Sequence, residues 1–162
     1  MMITSTSTNH VRVGVGVLVK DPLAPNKIFA GIRKGSHGEG CLALPGGHLE
    51  MYESWSDCAS REVTEETGLL VHNTNFVHTT NDLMIEEGKH YVTIFMTATC
   101  TDNSTRKPEN REPEKCEGWE SFDWDELGDI AAGRRTDLTM FGPLRQMIQD
   151  RPVQVMDFLG AQ

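Results

Sequence analysis

The chain has 162 residues, 38% hydrophobic and 24% charged, values that suit one globular domain with a real core and exclude a wholly disordered polymer. A net charge of −9 and a pI near 5.1 argue against a nucleic-acid polymer as partner, because such a partner requires a basic face. An acidic chain can still bind phosphates where a divalent cation mediates, and no run approaches the roughly 18 apolar residues of a membrane span.

The opening stretch MMITSTSTNH is Ser/Thr-rich and has no basic residue or apolar core. It is expected to be a disordered leader over residues 1–10, not a signal peptide, with residues 11–162 forming a single domain. VRVGVGVLVK (Val11–Lys20) alternates and is rich in Val, so it reads as a strand. Its Gly14-x-Gly16 invites comparison with a dinucleotide loop, but position 19 is Val and no helix follows. A strand with close backbone packing is the better reading. DPLAPN is expected to be a turn, KIFAGIRK (Lys27–Lys34) a second strand and GSHGEG a flexible loop.

Further on, NFVHTTNDLMIEE and HYVTIFMTATC read as two antiparallel strands joined at Gly88. TDNSTRKPENREPEKCEG is a polar, charged loop, and WESFDWDEL is expected to be a strand running into a short turn. DLTMFGPLRQMIQD predicts a C-terminal helix with Leu144 and Met147 on its apolar face. Strands outnumber helices and mix with them, so the fold class is α/β, a sandwich with a mixed sheet between helices. The four cysteines (Cys41, Cys58, Cys100, Cys116) are widely spaced with no C-x-x-C pair. Reduced thiols in a cytoplasmic setting, with the nucleus as the other possibility, are therefore expected in preference to a disulfide framework or zinc site.

The chemistry concentrates in PGGHLEMYESWSDCASREVTEETGLL (Pro45–Leu70). Ser54 followed by Asp57 makes a start like a capping box, and Gly68 is a natural terminator, so a helix is predicted from about Trp55 to Thr67. Trp55, Cys58, Ala59 and Val63 fall on one stripe, expected to be buried. Glu62, Glu65 and Glu66 form an acidic stripe beside it, and like charges at such spacing repel by roughly 0.2–0.5 kcal/mol per pair. Stability alone gives no reason for that repulsion, so something positive is expected against it. Gly46 and Gly47 permit tight backbone geometry just before the helix and could offer a carbonyl ligand, while the same loop brings Glu53 towards it. Hard oxygen donors of this kind suit Mg²⁺, shared between carboxylates and substrate phosphates.

The complete spacing, Gly47-x5-Glu53-x7-Arg61-Glu62-Val63-x-Glu65-Glu66-x-Gly68-Leu69, fits G-x5-E-x7-R-E-U-x-E-E-x-G-U at every position, with U apolar. At roughly 6% frequency per fixed residue, the seven fixed matches have a chance probability of order 10⁻⁹. This is the Nudix box, and the chain resembles a Nudix hydrolase. The resemblance implies an α/β/α sandwich that hydrolyses a nucleoside diphosphate linked to another group, with Mg²⁺ or Mn²⁺. By position, it makes Glu62 and Glu66 the metal ligands, with the Gly46–Gly47 backbone completing the sphere. Glu65 shares that task or orients the attacking water, and Arg61 pairs with Glu53 to hold the loop against the helix.

LPGGHLE, HYVTIFM and EPEKCEGWESFDWDEL extend the likeness, from about Val11 to Arg145, to a eukaryotic MutT-like subgroup. It takes in the human thiopurine-nucleotide diphosphatase and a plant cytosolic relative. That narrower resemblance implies a homodimer converting nucleoside triphosphates, 8-oxo-dGTP among them, to monophosphate and pyrophosphate. Arg33 would contact phosphate or base, Leu44 would line the pocket, Thr93 would hydrogen-bond the substrate, and Phe141 and Leu144 would flank the base. A core role for Phe141 and a loop role for His48, against a phosphate contact, stay open. Glu114 is the candidate for an extra carboxylate from the EPEKCEGW loop.

Met51-Tyr52 stands where the subgroup usually has Phe-Gly, and FGPL where a Phe-Trp pair precedes the last helix. The loop before Glu53 and the aromatic wall of the base pocket are therefore expected to differ. A diphosphatase for NADH, a sugar nucleotide or a pterin triphosphate is the alternative within this chemistry. A catalytically silent nucleotide-binding module is the alternative outside it, although every box carboxylate is present.

Overall fold

The structure, a computed structural model, describes residues 9–35, 37–101 and 107–161. Residues 1–8 of the expected leader and 102–106 of the expected polar loop lie outside the described residues.

The Val-rich stretch forms β1 (Arg12–Asp21), the hub of an eight-stranded mixed sheet. It runs parallel to β6 (Lys89–Cys100), from the Arg12–Tyr91 pair to the Lys20–Thr99 pair. Its other edge is divided. Gly14–Gly16 pair with β4 (Gly46–His48), whereas Lys20 and Asp21 pair with β2 (Ala24–Arg33). β2 in turn pairs antiparallel with β3 (Cys41–Ala43) and β7 (Cys116–Asp123), and β3 runs parallel to β8 (Thr139–Met140). β5 (Val71–Met84) closes the far edge against β6, joined to it by a 3-10 turn and Gly88 at φ 61.

The period-two alternation of β1 sorts the core into two layers. Val15, Val17 and Val19 pack against Cys58, Ala59 and Val63 of α1 (Trp55–Thr67). Leu18 instead joins Leu127, Leu144, Met147 and Val155, drawn from α2 (Trp124–Ala131), α3 (Gly142–Asp150) and α4 (Val153–Leu159). The result is the expected α/β/α arrangement with a mixed sheet in the middle. Among the described residues no helix is long and apolar enough to cross a membrane.

Helix α1 has the predicted bounds and caps: the Ser54 hydroxyl accepts the Asp57 N–H at 3.1 Å, and Gly68 takes the left-handed conformation at φ 72. Trp55 departs from expectation. It heads the helix 44% exposed and leans on the half-exposed ring of Phe76 at 5.5 Å, while Thr67, a turn beyond Val63, completes the buried stripe.

The short turn expected after WESFD is the helix α2, because Asp123 and Glu126 form a reciprocal capping box that starts it. The helix expected over DLTMFGPLRQMIQD is α3, shortened at its start because Thr139–Met140 pair with β3 as β8. Arg151 then turns left-handed at φ 51 ahead of Pro152, and a further helix, α4, follows. The turn expected over DPLAPN is confined to Pro22-Leu23, because β2 begins at Ala24.

The α2 cap is testable. Asp123→Ala removes the 2.9 Å bond to the Glu126 N–H and is expected to cost ~1 kcal/mol, lowering the thermal melting midpoint by about 2–4 °C.

Candidate active site

Arg61 organises the acidic end of the site. Its Nε and Nη2 donate to the two carboxylate oxygens of Glu53 at 2.7 and 3.0 Å, a bidentate pair. Nη1 donates to Glu62 at 2.9 Å and to Glu65 at 3.4 Å, and Nη2 also reaches the His48 carbonyl at 3.2 Å. One guanidinium thereby ties α1 to the loop before it. That loop is further pinned by the Glu50 N–H donating to Glu53 at 3.0 Å. Tyr52 makes the bend at φ 66 with its side chain in solvent, in a left-handed region that favours glycine.

Gly46 and Gly47 press against this cluster. The Gly46 N–H donates to Glu66 Oε2 at 3.1 Å. A Cβ on Gly47 would overlap the Glu62 carboxylate, and one on Gly46 would strike the Val15 carbonyl, so no other residue fits at either place without displacement. Burial and the charges of Glu62 and Glu112 push the Glu66 acid up to about 8, against the Gly46 N–H and Arg33. Burial likewise raises Glu62, with Arg61 opposing it. Arg61 pulls Glu53 the other way, down to about 2.

The chemistry of this donor set fits a hard divalent cation. Glu66, which no cationic side chain among the described residues bonds, and Glu62, which shares Arg61 with Glu53 and Glu65, stand beside the half-buried backbone of Gly46–Gly47. Among the described residues no three His, Cys, Asp or Glu side chains make a cage of their own. A cation here would be completed by water and substrate phosphate, the usual habit of Mg²⁺.

The same two glycines, on β4, also line a cavity of about 120 Å³. Gly14 and Gly16 of β1 form its floor, where a Cβ on Gly16 would meet the Phe95 ring at 3.3 Å. The close packing expected of these glycines is thus also what opens the cavity. Arg33, at the end of β2, enters the wall with its guanidinium 4.6 Å from the Phe141 ring and Nε donating to the His37 carbonyl at 2.9 Å. His48 Nε2 and the Tyr91 hydroxyl are hydrogen-bonded at 2.9 Å.

Residues 10–141 match the model of the NUDIX domain. The chain belongs to the NUDIX domain family, the family of the Nudix hydrolases. It is 44% identical over 62 residues to the ADP-ribose pyrophosphatase of Methanocaldococcus jannaschii, a match spanning 38% of this chain and about a third (34%) of that protein. The crystal structure of a MutT NUDIX hydrolase from Burkholderia pseudomallei is similar with a TM-score of 0.65 and 24% identity, covering 73% of this chain and 87% of that one. A NUDIX hydrolase from Nitrosomonas europaea gives a TM-score of 0.68 at 20% identity, covering 87% of each. At such identities these structures establish the Nudix fold alone.

Within this Nudix domain, Arg33, Leu44, His48, Thr93, Phe141 and Leu144 all line the one cavity. Phe141 is only partly buried and faces Arg33, so it belongs to the cavity wall and not to the core interior. Glu114 is not brought to the cluster. Its side chain is exposed, and the loop carboxylate whose charge bears on both Glu62 and Glu66 is Glu112. Glu112 is held by Lys115 at 3.0 Å and lines a smaller recess with Glu66 and Trp119. Tyr91 and His37 are cavity residues that the sequence reading passed over. For Tyr91 the signal was available, since it stands two places before Thr93 on one strand face.

The Glu53–Arg61 clamp makes stability depend on acid. Glu53 is depressed in the folded state, so its contribution is present above its ordinary value of 4.5 and is lost as pH falls towards about 2. In chelator, the melting temperature of Glu53→Gln is expected to lie below that of the unaltered protein near pH 6, with the gap narrowing below pH 4.5 and closing only as pH reaches about 2. Parallel curves across that range would contradict the clamp.

Proposed function

We propose that the chain is a Mg²⁺-dependent diphosphatase that hydrolyses nucleoside triphosphates to monophosphate and pyrophosphate, with guanine and oxidised guanine nucleotides such as 8-oxo-dGTP as leading substrates. One observation carries the reading: Gly46 and Gly47 contact the Glu62–Glu66 pair and also line the aromatic cavity. A phosphate site and a site for one base are thereby set a single loop apart.

Glu62, Glu66 and the Gly46–Gly47 backbone would hold the cation. When bound, it supplies charge neutralisation at the phosphates and a more acidic water. Arg61 fixes the Glu62 carboxylate, and the exposed Glu65, held at 3.4 Å, is free to take a proton from the attacking water. Arg33 provides positive charge at the junction of cavity and recess, where a phosphate would pass. His48 and Thr93 offer polar atoms to the sugar and base.

A second reading, cleavage of a nucleotide linked to a sugar, is favoured by the 44% identity to the M. jannaschii ADP-ribose pyrophosphatase. The homodimer implied by the MutT-like resemblance belongs to the proposal and is decided by sedimentation analysis. A reducing cytoplasmic setting also belongs to it, supported by four free thiols.

Glu66→Gln is expected to reduce kcat by about 10²–10³-fold and to raise the Mg²⁺ concentration needed for activity, in line with losing a ligand of the cation that stabilises charge on the phosphates. It removes a buried, destabilised acid, so in chelator the variant should melt no lower than the unaltered protein. Equal loss of fold and turnover would defeat the ligand assignment. A panel of dGTP, 8-oxo-dGTP, dCTP, NADH and ADP-ribose, with products separated by chromatography, tests the substrate class. Turnover confined to ADP-ribose or NADH would replace the first reading by the second.

A further inference from the structure

Asp82 is a buried carboxylate on the cavity side of the sheet that takes no part in the acidic cluster. It is 9% exposed, and its Oδ2 accepts two hydroxyls, Thr93 Oγ1 at 2.6 Å and Thr80 Oγ1 at 3.1 Å. Strand register explains the meeting. Thr80 stands opposite Thr93, and Asp82 opposite Tyr91, on antiparallel β5 and β6, so the four share one face. Thr93 lines the cavity and Asp82 backs it. On the other side of Thr93, its partner on β1 is Gly14, and a Cβ there would come within 3.9 Å of Thr93 Oγ1. The missing side chain leaves the hydroxyl open to the cavity.

A threonine hydroxyl has one proton and two lone pairs. The Thr93 proton is committed to Asp82 in a short bond, so the oxygen that faces the cavity can only accept. Burial pushes the Asp82 acid up while the two hydroxyls pull it down. With a proton on Oδ1, Oδ2 would still accept from Thr93.

We propose that Asp82 fixes Thr93 as a hydrogen-bond acceptor facing the N1 position of a bound purine, so that the cavity selects purines that carry a proton on N1. This deepens the nucleotide reading and rests on it for the identity of the ligand as a nucleobase. Purines with N1–H, guanine and hypoxanthine, satisfy Thr93. Purines with a bare N1, adenine and 2-aminopurine, set lone pair against lone pair. Asp82 is thus a positioning residue for specificity.

Calorimetric binding of dGMP, dIMP, dAMP and the 2-aminopurine deoxynucleoside monophosphate to the full chain tests this without requiring turnover. The unaltered protein should favour the N1–H pair by roughly tenfold, the effect of one buried mismatched hydrogen bond. Asp82→Leu, which frees the Thr93 hydroxyl to rotate, should bring that ratio close to one. Thr93→Val should abolish the preference and make a second change at Asp82 silent, whereas Thr93→Ser should keep it. A ratio unchanged in Asp82→Leu, or a preference surviving in Thr93→Val, overturns the proposal. Pyrophosphate release from dGTP, followed in parallel, reports on the diphosphatase reading separately. A preserved binding ratio without turnover would sink that reading and support this one.

Discussion

The site depends on one guanidinium satisfying carboxylates that would otherwise repel each other. Arg61 reaches Glu53, Glu62 and Glu65 through hydrogen bonds, with Glu50 a further 3.9 Å ion pair. Arginine suits this because its five N–H donors lie in a fixed plane, so a single side chain can grip one carboxylate with two bonds and still serve others. A lysine would offer a point charge without the fork. Through Arg61 the loop carrying Glu53 becomes mechanically continuous with α1. Glu66, which Arg61 does not reach, is left short of positive charge.

That imbalance gives the domain its division of labour. Burial of Glu66 is unfavourable for the bare fold, yet it places an oxygen donor beside Gly46 at the one place where backbone, acid and cavity converge. Binding a cation there would convert a local electrostatic cost into affinity. Local strain at a site is commonly offset by well-packed surroundings, and the inner face of α1, Cys58, Ala59 and Val63, is fully buried. The cavity is built from a different set of contacts. Arg33, Phe141, Tyr91 and Thr93 come from two strands, β2 and β6, and the start of α3, none of them from α1.

Much of this was legible from residue spacing because α1 is local. Helical period places Glu62, Glu65 and Glu66 on one side and Cys58, Ala59 and Val63 on another whatever the rest of the chain does. Ser54 and Gly68 then mark the ends. What could not be read depended on distant partners. Strands β3, β4 and β8 have two or three residues each, too few for any alternation to register. WDEL reads as a short turn after a strand because only a few residues follow the aromatic run, whereas the reciprocal Asp123–Glu126 capping box starts a helix there. The choice between Glu112 and Glu114 turned on how an irregular loop lies against α1, which no periodicity encodes. Asp82, in the polar run TTND, would pass for a solvent-facing residue until the register of β5 against β6 puts it beneath Thr93.

Strand β1 has one further consequence. Its odd positions, Val15, Val17 and Val19, carry the packing under α1, while its even positions, Gly14 and Gly16, set the floor of the cavity. Catalytic scaffold and ligand recognition are therefore interleaved on ten consecutive residues yet face opposite sides of the sheet. Val15 is where the two meet, since it packs under α1 and also borders the cavity, so a change of shape at that one position would be felt on both faces of the sheet.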